Sequence, residues 1–120
     1  MKLLTKAVEA KLIANCAANK KLSEESEGER CHDFKPEVKF FGGGACTWLF
    51  TEYDPEEGTF FGLCDLGQGF PELGYVSREE LESVRFPPFG LPIERDRYFT
   101  ADKTLQEYTD DAREKRRIDS

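Results

Sequence analysis

Acidic side chains are the residues of this sequence with the clearest capacity for chemistry. The segment 52–82 carries nine acids and a single base, Arg78, so its formal charge is −8, whereas the rest of the chain sums to +1. Grouped carboxylates either bind a hard cation such as Mg²⁺ or present a negative field to a basic partner. The nine acids are Glu52, Asp54, Glu56, Glu57, Asp65, Glu72, Glu79, Glu80 and Glu82.

A magnesium site is the catalytic interpretation of these acids, and it would serve a metal-dependent nuclease or another DNA-processing enzyme. The chain has one histidine, His32, and its negative field repels a phosphate backbone. We therefore keep the nuclease as the alternative hypothesis and predict no catalytic residue and no direct binding of nucleic acid. The carboxylates that could contribute ligands are Glu52, Asp54, Asp65, Glu72, Glu94 and Asp96.

The thiols offer weaker chemistry. Cys16, Cys31, Cys46 and Cys64 include no CxxC pair, so the spacing of a zinc finger is missing. Cys31 precedes His32, but neighbours in sequence rarely point together, and a nucleophilic pair needs a third, orienting group. We predict reduced and mostly buried thiols, no metal site and no cofactor.

The stretch "FGLCDLGQGFPELGY", residues 61–75, combines glycines, aromatic rings and two acids. Its "GQG" differs from a phosphate-binding loop because "FPEL" follows instead of a helix with a lysine or serine. A glycine-rich connection of this kind is typical of a turn between strands. Ordered loops also carry binding residues, so we predict that Phe70 and Glu72 face a partner.

Two kinds of local pattern predict the elements of the first half of the chain. Apolar residues at four-residue steps, with Thr5 as N-cap, predict a helix over 5–21, and the polar segment 22–35 is predicted to be a flexible loop. "CTWLFTEY" alternates, which predicts a strand with Trp48 and Phe50 on one face and Leu49 on the other. The "DPEEG" that follows predicts a turn joining strands at 46–53 and 59–64.

Capping signals organise the second half. Ser77 followed by Glu80 predicts a short helix over 78–84, and Asp102 is the predicted cap of a last helix over 103–116. Residues 110–120 are predicted to form a frayed tail. The sequence therefore predicts an α+β fold, residues 1–120 as a single domain, with a small antiparallel sheet of three to five strands and N-terminal and C-terminal helices packed on it.

Composition excludes several classes of protein. No apolar run approaches the ~20 residues that span a bilayer, and the charged opening "MKLLTKAVEAKLIANC" lacks the apolar centre of a secretion signal. We predict a cytoplasmic protein without membrane partners. Its oligomeric state does not follow from the sequence.

Several motifs together resemble a known family. The segments "MKLLTKAVEAKLIAN", "DFKPEVKFF", "TWLFTEYDPEEGTFFGLCDLGQGFPELGYVSREELESV" and "GLPIERDRYF" are similar to the domain-of-unknown-function family 2958, and the likeness is weakest over 22–32 and after about residue 110. The resemblance implies a small protein of bacterial plasmids, integrative elements and phages, a setting in which accessory proteins often counter host defence.

This setting and the acidic segment lead to one functional hypothesis. We expect a non-enzymatic accessory protein that binds another protein. It would act as a host-defence inhibitor of the anti-restriction or anti-CRISPR type, with an acidic surface that imitates DNA. The partner would be a host nucleic-acid-handling or defence factor. The predicted partner-binding residues are Glu52, Asp54, Glu56, Glu57, Asp65, Phe70, Glu72, Glu79 and Glu80.

Overall fold

The computed structural model describes residues 3–120, which form three helices and seven strands. This α+β domain confirms the predicted fold class. In chain order the elements are α1 (Lys6–Glu25), β1 (Val38–Gly42), β2 (Cys46–Asp54), β3 (Thr59–Asp65), β4 (Glu72–Ser77), α2 (Arg78–Ser83), β5 (Arg85–Phe86), β6 (Leu91–Pro92), β7 (Glu94–Arg95) and α3 (Leu105–Lys115).

A five-stranded antiparallel sheet in the order β4-β3-β2-β1-β7 is the centre of the fold, and β5 and β6 form a separate small hairpin. The "DPEEG" turn joins β2 to β3 as predicted. Asp54 Oδ1 accepts the N–H groups of Glu56 (3.0 Å) and Glu57 (3.4 Å), and Gly58 has a φ of +67°. Only glycine adopts that left-handed conformation without strain, which explains the residue that closes the turn.

The two faces of the sheet are covered by different helices. On the α1 face, Phe40, Phe50 and Phe60 are fully buried, and the rings of Phe50 and Phe60 stack at 4.9 Å. On the α3 face, Leu49 and Leu63 pack against the apolar side of α3. Each fully buried apolar side chain contributes about 1.5–3 kcal/mol, so both helices are held mainly by burial of apolar surface.

Helix α1 begins as predicted and ends later than predicted. Thr5 Oγ1 accepts the N–H of Val8 at 3.2 Å, which confirms the N-cap. The helix continues to Glu25, four residues beyond the predicted end, because "LSEE" contains no helix breaker and the first positive φ values occur at Glu27 and Gly28. The first part of the loop predicted over 22–35 is therefore helical.

Strand β2 contains a β-bulge at Thr51. Phe50 pairs with Gly62, and Glu52 pairs with the next residue of β3, Phe61, so Thr51 has no partner across the ladder. The extra residue inverts the alternation of β2 from that point onward. Tyr53 consequently joins the core of the α1 face, and Glu52 lies on the α3 face beside Phe61.

One sequence prediction near the C-terminus is wrong, namely the cap of the last helix. The N-cap of α3 is Thr104, which forms a capping box with Glu107, whereas the carboxylate of Asp102 accepts the hydroxyl of Tyr108 at 2.8 Å. The segment predicted to fray is helical as far as Lys115, and the N–H of Ile118 then donates to Asp65 at 3.0 Å. No helix within residues 3–120 is long and apolar enough to cross a membrane.

Candidate functional site

The residues predicted to bind a partner divide between the two ends of the sheet. Strand β4 runs from Glu72, which pairs with Cys64, to Ser77, which pairs with Thr59 beside the β2–β3 turn. Six residues of strand span about 17 Å, so Glu72 lies far from the acids of the turn. The predicted set is therefore not a single surface.

At the turn end, helix α2 lies directly against the β2–β3 turn. The N–H of Arg78 donates to the carbonyl of Gly58 at 2.9 Å, and Ser77 Oγ accepts the N–H of Glu80 at 3.3 Å, which confirms the predicted cap. Acids that are 22 to 28 residues apart in sequence consequently share one surface. This surface, here called the acidic surface, consists of Asp54, Glu56, Glu57, Glu79, Glu80 and Glu82.

The bases at the acidic surface are already paired. Lys20 Nζ lies 2.9 Å from Asp54 Oδ2, and this pairing lowers the pKa of the Asp54 carboxyl. Arg78 contacts Glu9 at 2.8 Å and Glu82 at 3.4 Å, and its guanidinium lies 5.2 Å from the ring centre of Tyr53. Glu56, Glu57, Glu79 and Glu80 form no salt bridge with a residue of the 3–120 segment and are exposed.

At the opposite end of the sheet, Asp65 is not available to a partner. Asp65 is only 4% exposed, and its two carboxylate oxygens accept the N–H groups of Gly67 (2.8 Å) and Ile118 (3.0 Å). Asp65 thus ties the β3–β4 loop to the C-terminal segment, and its predicted place on a partner-binding surface is corrected. Phe70 is 75% exposed and Glu72 is also exposed, so both remain accessible.

Glu52 is not part of the acidic surface and lies in a groove of about 370 Å³ at the turn end of the α3 face, which Asp54 also lines. Burial raises the pKa of its carboxyl, and a hydrogen bond from Asn19 opposes that rise. Asn19 Nδ2 donates to Glu52 Oε2 at 2.9 Å, and Asn19 Oδ1 accepts the N–H of His32 at 2.6 Å. The bulge at Thr51 is the reason why Glu52 points into this groove and not into the opposite core.

The aromatic residues of the groove were not identified from the sequence. Phe61 and Tyr75 face each other on β3 and β4 with ring centres 4.9 Å apart, and Tyr75 is 75% exposed.

The structure gives no convergent metal ligands within residues 3–120, because no three His, Cys, Asp or Glu side chains there lie close enough to hold an ion. Asp65 is occupied by backbone donors, and Asp96 lies 3.9 Å from Lys39. The four thiols are free, and burial raises the pKa of Cys64 to about 11. Thiols with a raised pKa are poor nucleophiles at neutral pH.

Comparison with known proteins gives one match. A family model described as "Protein of unknown function (DUF2958)" matches residues 3–119, which include the acidic surface and the groove. No curated protein and no solved structure matches the chain. The family resemblance drawn from the sequence motifs is thereby confirmed.

Proposed function

The chain belongs to the DUF2958 family, and we propose that it is a non-enzymatic accessory protein of a mobile genetic element that binds another protein through its acidic surface. One observation carries this proposal: the hydrogen bond from Arg78 to Gly58 places the β2–β3 turn beside α2, so that exposed carboxylates from both segments adjoin. The surface also carries little unpaired positive charge, because Lys20 and Arg78 are held in ion pairs.

A basic groove that normally holds nucleic acid is the partner this surface fits best. Carboxylates spread over a turn and a helix resemble a line of phosphates in sign, and they attract a site lined with Lys and Arg. The surface repels nucleic acid itself. In this proposal the protein occupies the groove of a host defence factor, of the anti-restriction or anti-CRISPR type, and excludes its DNA or RNA.

Salt provides the sharpest test of such an interaction. Exposed charges are screened over about 10 Å at 0.1 M salt, so binding through the acidic surface weakens steeply as salt rises. Binding through exposed apolar residues, such as Phe70 (75% exposed) and Phe89 (82% exposed), is insensitive to salt by comparison. The salt response therefore distinguishes the acidic surface from the far end of the sheet.

The experiment is a capture from host lysate at 50 mM and 500 mM salt with three baits of verified fold. The test bait carries lysine at Glu56, Glu57, Glu79 and Glu80. The control bait has the same charge change at four exposed acids outside the acidic surface, which are Glu94, Asp110, Glu114 and Asp119. We expect a nucleic-acid-binding partner with wild type and with the control bait at low salt, and no partner with the test bait.

A captured protein supports the proposal only when it is purified and shown to lose its nucleic acid to the wild-type chain. Equal capture by the test and control baits would contradict the use of the acidic surface. Failure of every bait, together with DNA cleavage in Mg²⁺ or Mn²⁺, would favour the alternative of a metal-dependent nuclease.

A further inference from the structure

The groove beside Glu52 is a recessed site that borders the acidic surface at Asp54. Its floor is the turn end of the α3 face, where Glu52, Phe61 and Tyr75 lie side by side on β2, β3 and β4. Helix α3 borders this row through its first residue, Leu105, and Phe61 packs against the α3 cluster, whereas Tyr75 remains 75% exposed. The walls are the C-terminal half of α1 and the segment 28–34.

The carboxylate in the groove is held in place by the fold. Asn19 donates to one oxygen of Glu52 while it accepts from the backbone of His32, so a single amide links α1, the segment 28–34 and the carboxylate. This is the only hydrogen bond to the Glu52 side chain from the part of the chain that the structure describes. Its other oxygen is therefore free to accept from a ligand.

Within residues 3–120 no charged residue of the groove forms a salt bridge with Glu52, although the positive charge of Lys20 acts to lower the pKa of its carboxyl. Lys20 pairs with Asp54 at 2.9 Å, and Asp33 Oδ1 accepts the N–H of Gln106 at 3.0 Å. Glu29 and Arg30 are exposed residues of the wall. The four acids and two bases that line the groove leave it with a net negative charge.

We propose that this groove binds an arginine side chain presented by a partner polypeptide. A guanidinium is planar, so it stacks on an aromatic ring while its N–H groups donate to a carboxylate. The groove offers both at once, because the rings of Phe61 and Tyr75 adjoin Glu52 on the same floor. A volume of about 370 Å³ lies at the lower end of the range for ligand sites, which suits one side chain and its neighbouring backbone.

Burial of Glu52 is consistent with a cationic ligand. Desolvation raises the pKa of this carboxyl, and the hydrogen bond from Asn19 and the charge of Lys20 oppose that rise only in part. A bound guanidinium supplies the missing compensation. This proposal is tested independently of the acidic surface, since its ligand contacts are Glu52, Phe61 and Tyr75, and the two sites share only Asp54, which is paired with Lys20.

The test is a titration of the ¹⁵N-labelled protein with the peptide acetyl-Gly-Arg-Gly-amide, followed by NMR. Two further peptides carry lysine or citrulline, which is a neutral analogue of arginine, in the central position. We expect saturable shifts around Glu52, Phe61 and Tyr75, with a dissociation constant near the millimolar range and the order arginine, lysine, citrulline. A hydrogen bond to a charged group accounts for tenfold or more of that affinity.

Three variants make the test specific. Glu52→Gln keeps the shape and the contact with Asn19, and we expect binding at least tenfold weaker. Glu56→Gln, on the exposed turn, is the matched control and should bind as wild type does. Arg30→Gln removes a competing positive charge from the wall and should bind more tightly.

Equal affinity for the arginine and citrulline peptides would overturn the proposal, as would unchanged affinity in a folded Glu52→Gln variant. The four-lysine variant of the acidic surface should still bind the peptide. Failure of that surface in the capture experiment and failure of the groove in the titration can therefore be told apart.

Discussion

Gly62 is the position where one added methyl group should damage this fold most. Gly62 lies on β3 opposite Phe50, immediately before the β-bulge at Thr51. A Cβ at Gly62 would overlap the carbonyl oxygen of Leu49 and lie 2.8 Å from the Cα of Phe50. These are backbone atoms of the central strand, so they cannot move aside as a flexible side chain would.

The size of the effect of Gly62→Ala follows from this geometry. Ordinary contact begins at 3.4 Å, so β2 and β3 must separate by about 0.6 Å at Phe50 and by more at Leu49. Overpacking of a core costs about 1–3 kcal/mol, and weakening two hydrogen bonds of the ladder costs about 1 kcal/mol each. We expect a loss of about 3–5 kcal/mol from a total stability of about 5–15 kcal/mol.

Gly74→Ala is the matched control. Gly74 pairs directly with Gly62 from the edge strand β4, and a Cβ there meets no atom within 4 Å. Neither glycine has a φ in the left-handed range, so alanine is allowed by the backbone at both positions. Reduced freedom of the unfolded chain should make Gly74→Ala neutral or stabilising by up to about 1 kcal/mol.

Urea unfolding followed by the fluorescence of Trp48 measures both variants, because this buried residue is the single tryptophan of the chain. With a slope of about 2 kcal/mol per M, Gly62→Ala should lower the midpoint by about 2 M. A shift of less than about 0.5 M for Gly62→Ala, or an equal shift for Gly74→Ala, would refute the reasoning from close backbone approach.

Three further predictions concern Asp65, Glu52 and the thiols. Asp65→Ala leaves two backbone N–H donors without their acceptor and should lower the free energy of unfolding by about 2 kcal/mol in the same urea assay. Glu72→Ala, which changes an exposed residue nearby, should alter the free energy of unfolding little. Burial raises the pKa of Glu52 in the folded state, so the native protein binds more protons than the unfolded chain between the two pKa values. The wild type therefore loses stability as pH rises through that window, and Glu52→Gln should gain stability relative to wild type from pH 4 to pH 7. A stability difference that does not change with pH would contradict this. With Ellman's reagent at pH 8, exposed Cys31 should react fast, whereas Cys64, whose pKa is about 11, should react only when the protein unfolds. A fast reaction that persists in the Cys31→Ser variant would be inconsistent with this assignment.

Local interactions are the part of this fold that the sequence alone determined. Thr5 and Ser77 cap helices as predicted, because a cap depends on a hydrogen bond across three residues. The turn at 54–58 also follows from its own residues, since Asp54 and Gly58 complete it without help from distant segments. The fold class followed from these local signals and from the alternation of β2 as far as Phe50.

Tertiary structure alone decided which of the predicted residues are buried and which lie together on one surface. Asp65 is buried because Ile118, 53 residues later, donates to it, and no local pattern encodes that contact. Alternation places Glu52 with Phe50, but the bulge at Thr51 moves Glu52 to the other face, where Asn19 holds it. Register and long-range pairing are set by the packing of the whole sheet, and a single extra residue in one strand reverses the faces of all that follow.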